Sequence, residues 1–137
     1  MGDVGRPLRV MLVDDDDKLR NLLRSVLSDD GFEIAADVGD SAGALRALTT
    51  SDPDVVVIDY TLPDGDGLRL ADEIRSSRPS QPIIVFSSLF DPSLRRRAED
   101  RGYRYVEKVD GLEVLEEAIR TAGAAPMDSG FEEAGPG

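Results

Sequence analysis

Asp14-Asp15, Asp59, Ser87 and Lys108 each stand just after a short run of residues with the character of a β-strand. The runs are Arg9–Val13, Val55–Ile58, Ile83–Phe86 and Tyr105–Glu107. A carboxylate can attack phosphorus and carry the group as an acyl phosphate, and Asp59, which closes the Val-Val-Val-Ile run, is the candidate nucleophile. Its negative charge repels an incoming phosphoryl group, so a cation must stand beside it. Asp14 and Asp15 offer the oxygen ligands that suit Mg²⁺, a hard ion that keeps several of its waters. The Ser87 hydroxyl and the Lys108 ammonium can donate to phosphoryl oxygens and stabilise developing charge. In a parallel α/β sheet the carboxyl ends of the strands share one edge, and ligands bind there. Strands ending in these residues would bring them together.

Each of these residue types also has an ordinary reading. Asp16 or Asp17 suits the N-cap of a helix, with its charge near the positive helix end. Asp64 and Asp66 fit turn positions better than Asp59 does. Asp64-Gly65-Asp66-Gly67 has the composition of a calcium loop, but the spacing and flanking helices of an EF-hand are missing. A Ser in a loop or a Lys after a strand is usually just solvated. Ser87 and Lys108 carry weight because they arrive at successive strand ends in the right order. Asp14–Lys18 also matches a protease-cleavable tag; its place between a strand and a helix marks it as native.

The elements that position these groups follow from the pattern of apolar residues. Val10-Met11-Leu12-Val13 is a continuous apolar run, as expected of a strand buried on both faces. Leu19, Leu22, Leu23, Val26 and Leu27 recur at helical spacing, and Gly31 follows as a stop signal. Phe32–Val38 supplies a second strand, after which Asp40 or Ser41 can cap a helix carrying Leu45 and Leu48. Pro53 ends that helix before the Val55–Ile58 strand. Asp64–Gly67 is a turn, and Leu68, Leu70, Ala71 and Ile74 mark a third helix. Pro79 and Pro82 bracket the loop before Ile83–Phe86. Pro92 suits the first turn of a fourth helix, Ser93–Arg101, which Gly102 ends. Tyr105–Glu107 is the fifth strand, and Leu112, Val114, Leu115, Ala118 and Ile119 build a fifth helix. Five strand–helix units predict an α/β domain with a parallel sheet covered on both faces. The spans expected are a domain over 8–122 and a flexible tail over 123–137.

Composition narrows the function. The chain has 137 residues, enough for one domain, and 40% are hydrophobic, which supplies a core. Sixteen basic against 28 acidic residues give a net charge of −12, which disfavours nucleic acid as a direct partner. No cysteine is present, so no disulfide forms. No apolar stretch approaches the roughly 20 residues that span a bilayer, and Met1–Pro7 lacks an apolar secretory core. These features predict a cytoplasmic protein. Histidine is absent too, which removes imidazole acid–base chemistry and His-based zinc sites. Any phosphohistidine donor must therefore sit on another molecule.

With Asp14-Asp15, Asp59, Ser87 and Lys108 in this order, the chain resembles the receiver domain of bacterial two-component response regulators, in the stand-alone, single-domain form. The resemblance runs from about Leu8 to Ala122. It implies a flavodoxin-like (βα)₅ doubly wound fold whose five parallel strands have the order 2-1-3-4-5. It implies Asp59 as phosphoacceptor and Mg²⁺ as cofactor, held by Asp14, Asp15, Asp59 and the Thr61 backbone carbonyl. Ser87 falls at the switch hydroxyl, Lys108 at the phosphate-binding lysine, and Tyr105 at the switch aromatic, which turns inward when Ser87 moves toward the phosphoryl group. Three departures stand out. Val109 follows Lys108 where proline is common, Ser88 replaces a small Ala or Gly, and Gly102–Tyr105 is one residue short.

The resemblance implies a histidine kinase or histidine phosphotransfer protein as donor, and output through altered binding to a downstream protein. No membrane and no direct nucleic-acid contact is expected. The protein would be no enzyme beyond its own phosphorylation and dephosphorylation. Arg95, Arg96, Arg97, Arg101 and Arg104 form the one basic cluster, either a solvated helix or part of an output face built from the fourth helix, fifth strand and fifth helix. A phosphorylation-independent binding module is the alternative. A magnesium phosphohydrolase fits poorly, because Thr61 stands where its general-acid Asp would be and there is no cap domain.

Overall fold

The computed structural model describes residues 6–124. The elements are β1 (Arg9–Val13), α1 (Asp17–Asp29), β2 (Glu33–Val38), α2 (Ser41–Ser51), β3 (Val55–Ile58), β4 (Thr61–Leu62), β5 (Gly65–Asp66), α3 (Gly67–Ser77), β6 (Ile83–Ser87), α4 (Pro92–Asp100), β7 (Arg104–Glu107) and α5 (Leu112–Ala124). The five long strands form one sheet in the order β2-β1-β3-β6-β7, every pairing parallel. Setting aside the small β4–β5 ladder, this is the expected 2-1-3-4-5 order, and the domain is a flavodoxin-like α/β sandwich.

Alternation along the strands divides the core in two. Met11, Val13, Val56, Ile58, Ile83 and Val85 pack toward α2, α3 and α4. Val10, Leu12, Val55, Val57, Ile84 and Phe86 pack toward α1 and α5. Successive strand side chains point to opposite faces, so a strand covered on both sides has no polar position to offer. That is why Val10–Val13 and Val55–Ile58 read as unbroken apolar runs and are buried throughout.

The helix starts are set by side chains that accept from otherwise unpaired N–H groups. Asp16 accepts from Lys18 N and Leu19 N, Asp40 from Gly43 N, Asp66 from Arg69 N, and Asp91 from Ser93 N and Leu94 N. Asp64 reaches across from the β4–β5 turn to Ser41 N at 2.9 Å and Ala42 N at 3.1 Å. This ties that turn to the start of α2, and the bonds hold the Asp64 carboxyl below its usual value.

Several boundaries differ from expectation. Pro92 is itself the first helical residue of α4, since its missing N–H would have no partner there. Ser87 belongs to β6, paired with Glu107, and is not in the loop beyond it. α5 continues through Ala124, so the predicted tail starts inside a helix; its residues 125–137 lie outside the described part. Leu22 and Val114 look like core by spacing but are 49% and 45% exposed, at the outer margins of their helical stripes.

Candidate functional site

The carboxyl edge of the sheet collects Asp14, Asp15, Asp59, Ser87 and Lys108. Asp14 directly follows β1, and its N–H continues the ladder to Val38 O at 3.1 Å. Asp59 follows β3 and donates its N–H to Val13 O at 2.9 Å. The pairing Val13↔Ile58 puts the two strand ends level, so the acids that follow them are neighbours. Asp14 is 3% exposed and Asp59 8%, while Asp15 is open to solvent. One carboxylate oxygen from each of the three lies within 4.8 Å of the others.

Lys108, just beyond β7, supplies the local positive charge. Its Nζ donates to Asp14 Oδ2 at 2.9 Å and stands 3.5 Å from Asp59 Oδ2. The ammonium also lies 5.8 Å from the centre of the Phe86 ring, close enough for a cation–π attraction. Asp14 Oδ1 accepts from Asp16 N at 2.9 Å. The Asp59 carboxylate accepts the Thr61 N–H, which together with Lys108 favours ionisation. Burial, and then the neighbouring Asp14 charge, outweigh them and push the Asp59 carboxyl above its usual range. One ammonium against three carboxylates leaves an excess of negative charge. An all-oxygen donor set with that excess suits a hard divalent cation such as Mg²⁺.

Gly67 makes this corner possible. It opens α3, and its N–H donates to Tyr60 O at 2.6 Å. A Cβ on Gly67 would fall 2.4 Å from Asp59 O and 2.9 Å from Tyr60 Cα, both backbone atoms that cannot yield. From sequence Gly67 is only part of a turn; the Asp-Gly-Asp-Gly string signals tight backbone without showing what it approaches.

Ser87 is 1% exposed, and its Oγ accepts from Leu89 N at 3.0 Å. Tyr105 is already buried, its hydroxyl donating to Leu89 O at 3.0 Å and its ring covered by the Arg95 guanidinium at 4.9 Å. Burial raises the Tyr105 phenol above its usual range, and a hydrogen bond with the Ser87 side chain draws it part of the way back. Thr61 sits in β4 with its N–H turned to Asp59. Ser88 and Val109 are both exposed, and no peptide bond among the described residues is cis.

A doubly wound α/β domain with a carboxylate-rich, cation-suited crevice at the carboxyl edge of its sheet is the class that fold and site define. The sequence profile of the response regulator receiver domain matches residues 10–120, and the chain belongs to that family. It is 33% identical over 121 residues to the transcriptional regulatory protein PdtaR of Mycobacterium tuberculosis, covering 88% of this chain and 58% of that protein. It is 26% identical to the chemotaxis protein CheY of Listeria monocytogenes, covering 82% of this chain and 99% of that one. A crystal structure of a LuxR-family two-component response regulator from Aurantimonas sp. SI85-9A1 superposes with a TM-score of 0.82 at 29% identity, over 87% of this chain and 86% of that one. The chain thus spans little more than half of PdtaR, but nearly all of the Listeria CheY.

Proposed function

We propose that Asp59 accepts a phosphoryl group from the phosphohistidine of a histidine kinase or histidine phosphotransfer protein. An Asp59 carboxylate oxygen bonds to phosphorus while the phosphorus–nitrogen bond of the donor breaks, and the released imidazole takes up a proton. Mg²⁺ bound by Asp14, Asp15, Asp59 and the Thr61 carbonyl would neutralise charge on the phosphoryl oxygens. Lys108, now between Asp14 and Asp59, can turn one or more N–H donors to those oxygens, and the Ser87 hydroxyl can reach another. The observation that carries this reading is the meeting of three carboxylate oxygens within 4.8 Å, with Lys108 bonded into the same group.

The chain would catalyse only its own phosphorylation and dephosphorylation. Its output is a changed protein-binding surface on α4, β7 and α5. Arg96, Arg97 and Arg104 are exposed there and have no partner among the described residues, which suits an acidic downstream protein. No helix among the described residues is long and apolar enough to cross a membrane; phosphohistidine donors are charged from ATP, and we place the protein in the cytoplasm. The test is intact mass after acetyl phosphate with Mg²⁺. One hydroxylamine-labile phosphoryl group, lost in Asp59→Asn, is the expected result. No adduct on the wild-type chain would leave a binding module that works without phosphorylation.

A further inference from the structure

Asp15 is the member of the acid trio that nothing else holds. Lys108 and Asp16 N grip the Asp14 carboxylate, and Lys108 and Thr61 N–H grip Asp59. The Asp15 carboxylate is exposed and has no hydrogen-bond or ion-pair partner among the described residues. Its position is therefore inherited from its own backbone.

Bonds from Asp14 N to Val38 O and from Asp16 N to Asp14 Oδ1 flank that backbone, and one side chain grips its carbonyl. Arg20, on the first turns of α1, donates Nη1 to Asp14 O at 2.6 Å. Its guanidinium is in turn fixed by Asp37 at 3.3 Å through Nε and by Asp17 at 3.0 Å through Nη2. Arg24 braces Asp37 from outside at 3.0 Å. The Arg20 side chain is only 17% exposed, so the fork has little freedom to rotate. Gly39 provides its passage: a Cβ there would lie 3.2 Å from Arg20 Nη1 and 3.8 Å from Asp15 Cα. The Asp14–Asp15 peptide is planar, so holding its carbonyl oxygen fixes the plane that carries the Asp15 N–H and Cα.

We infer that Arg20 is a positioning residue for the divalent cation: by holding the Asp14 carbonyl it aims the otherwise unsupported Asp15 carboxylate into the site. The inference rests on the proposed cation-dependent reading of Asp14, Asp15 and Asp59. It makes a prediction opposite in sign to charge alone. Removing a cation near three acids should, by Coulomb's law, tighten divalent binding. Loss of an outer partner that orients a ligand should weaken it.

The experiment is a titration of the unphosphorylated full chain with Mn²⁺, followed by electron paramagnetic resonance, on the wild type, Arg20→Gln, Arg20→Lys and Asp37→Asn. Arg20→Gln should bind about tenfold more weakly. Arg20→Lys, which can reach the Asp14 carbonyl but cannot span Asp37 and Asp17 as well, should recover part of the loss. Asp37→Asn, which leaves Arg20 in place but slackens it, should weaken binding in the same direction, a sign that loss of an anion shares; Arg20→Lys, which keeps the charge so that charge alone predicts no change, decides the matter if Arg20→Gln fails to fold. Unchanged or tighter binding in Arg20→Gln, or in Arg20→Lys where that variant must stand in, overturns the positioning role while leaving the site intact. A wild-type chain that binds no Mn²⁺ overturns both the role and the site.

Discussion

The Lys108 ammonium donates to Asp14 at 2.9 Å, and the two residues lie 94 positions apart in the chain. This bond joins the end of β7 to the end of β1, across β3 and β6 between them. It also places the only ammonium of the site where it moderates two buried carboxylates. Lys108→Met should therefore destabilise the metal-free protein at neutral pH by about 2 kcal/mol, the usual scale for a hydrogen bond to a charged group. Millimolar Mg²⁺ should restore more melting temperature to the variant than to the wild type, because the cation replaces the missing charge. Identical Mg²⁺ shifts in the two proteins would show that Lys108 is not the counter-ion of this cluster.

Asp59 makes stability depend on pH in a definite direction. Burial and Asp14 raise its folded value above the ordinary 3.8. As pH rises through the interval between these values, the folded chain keeps a proton that the unfolded chain has released. The folded state binds more protons there, so stability falls with rising pH. Asp59→Asn should abolish that fall and melt higher than the wild type at pH 7 without Mg²⁺. Urea unfolding of both proteins from pH 4 to pH 8 measures it; parallel curves would mean that Asp59 is not under strain. Asp15 is exposed, so solvent screens its charge from Asp59, and Asp15→Ala should leave apo stability within about 0.5 kcal/mol while removing metal-dependent phosphorylation.

The fold was legible because its three central strands, β1, β3 and β6, are buried on both faces. Runs such as Val55–Ile58 need no partner information to be recognised, and Asp40 and Pro92 announce helix starts locally, whereas the caps at Asp66 and Asp91 emerge only in the structure. The site was legible because each of its residues sits at the end of such a run. What stayed hidden depends on approach through space. Nothing in the string Asp14–Asp17 says that Asp14 is buried and Asp15 open. Gly67 and Gly39 matter for what passes close to them, Asp59 O in one case and the Arg20 guanidinium in the other. Leu22 and Val114 misled for a related reason: helical spacing marks an apolar stripe but not how far the neighbouring layer extends over it.

Glu116 offers a second pH-dependent term, remote from the site. It lies on α5 and is 7% exposed, and Oε2 has no hydrogen-bond partner. Burial first, and then the nearby Asp30 carboxyl, raise it above its ordinary 4.5. Its contribution is likewise lost as pH rises through the raised folded value. Glu116→Gln keeps the shape and can donate to Asp30, so it should add about 1 kcal/mol at pH 7. The gain should vanish below the ordinary glutamate value, where both states of the wild type are protonated. A gain that persists at pH 3 would point to packing instead of charge.

The proposed switch has a physical link in Leu89. Ser87 Oγ accepts the Leu89 N–H and Tyr105 Oη donates to the Leu89 carbonyl, so both residues grip one stretch of backbone. Ser87 Oγ can go on accepting from Leu89 N–H while its hydroxyl donates to a phosphoryl oxygen on Asp59, but moving toward Asp59 to reach that oxygen stretches the bond to Leu89. Weakening of that bond frees the segment carrying Leu89 and Phe90, which are 41% and 81% exposed. Tyr105 is already inward, so it responds by changing its partner at Leu89 and its stacking beneath Arg95. Arg95 lies on α4 and also approaches Glu107 at 3.8 Å, which carries the change to the α4–β7 face. Beryllium fluoride, as a phosphoryl mimic, should therefore shift the amide resonances of Leu89, Phe90, Arg95 and Tyr105 along with those around Asp59. Ser87→Ala should still take up phosphate but lose most of the distant shifts, and Tyr105→Phe should keep those of Leu89 while losing those of Arg95. Full distant shifts in Ser87→Ala would rule out the Leu89 linkage, since that variant has no hydroxyl to release.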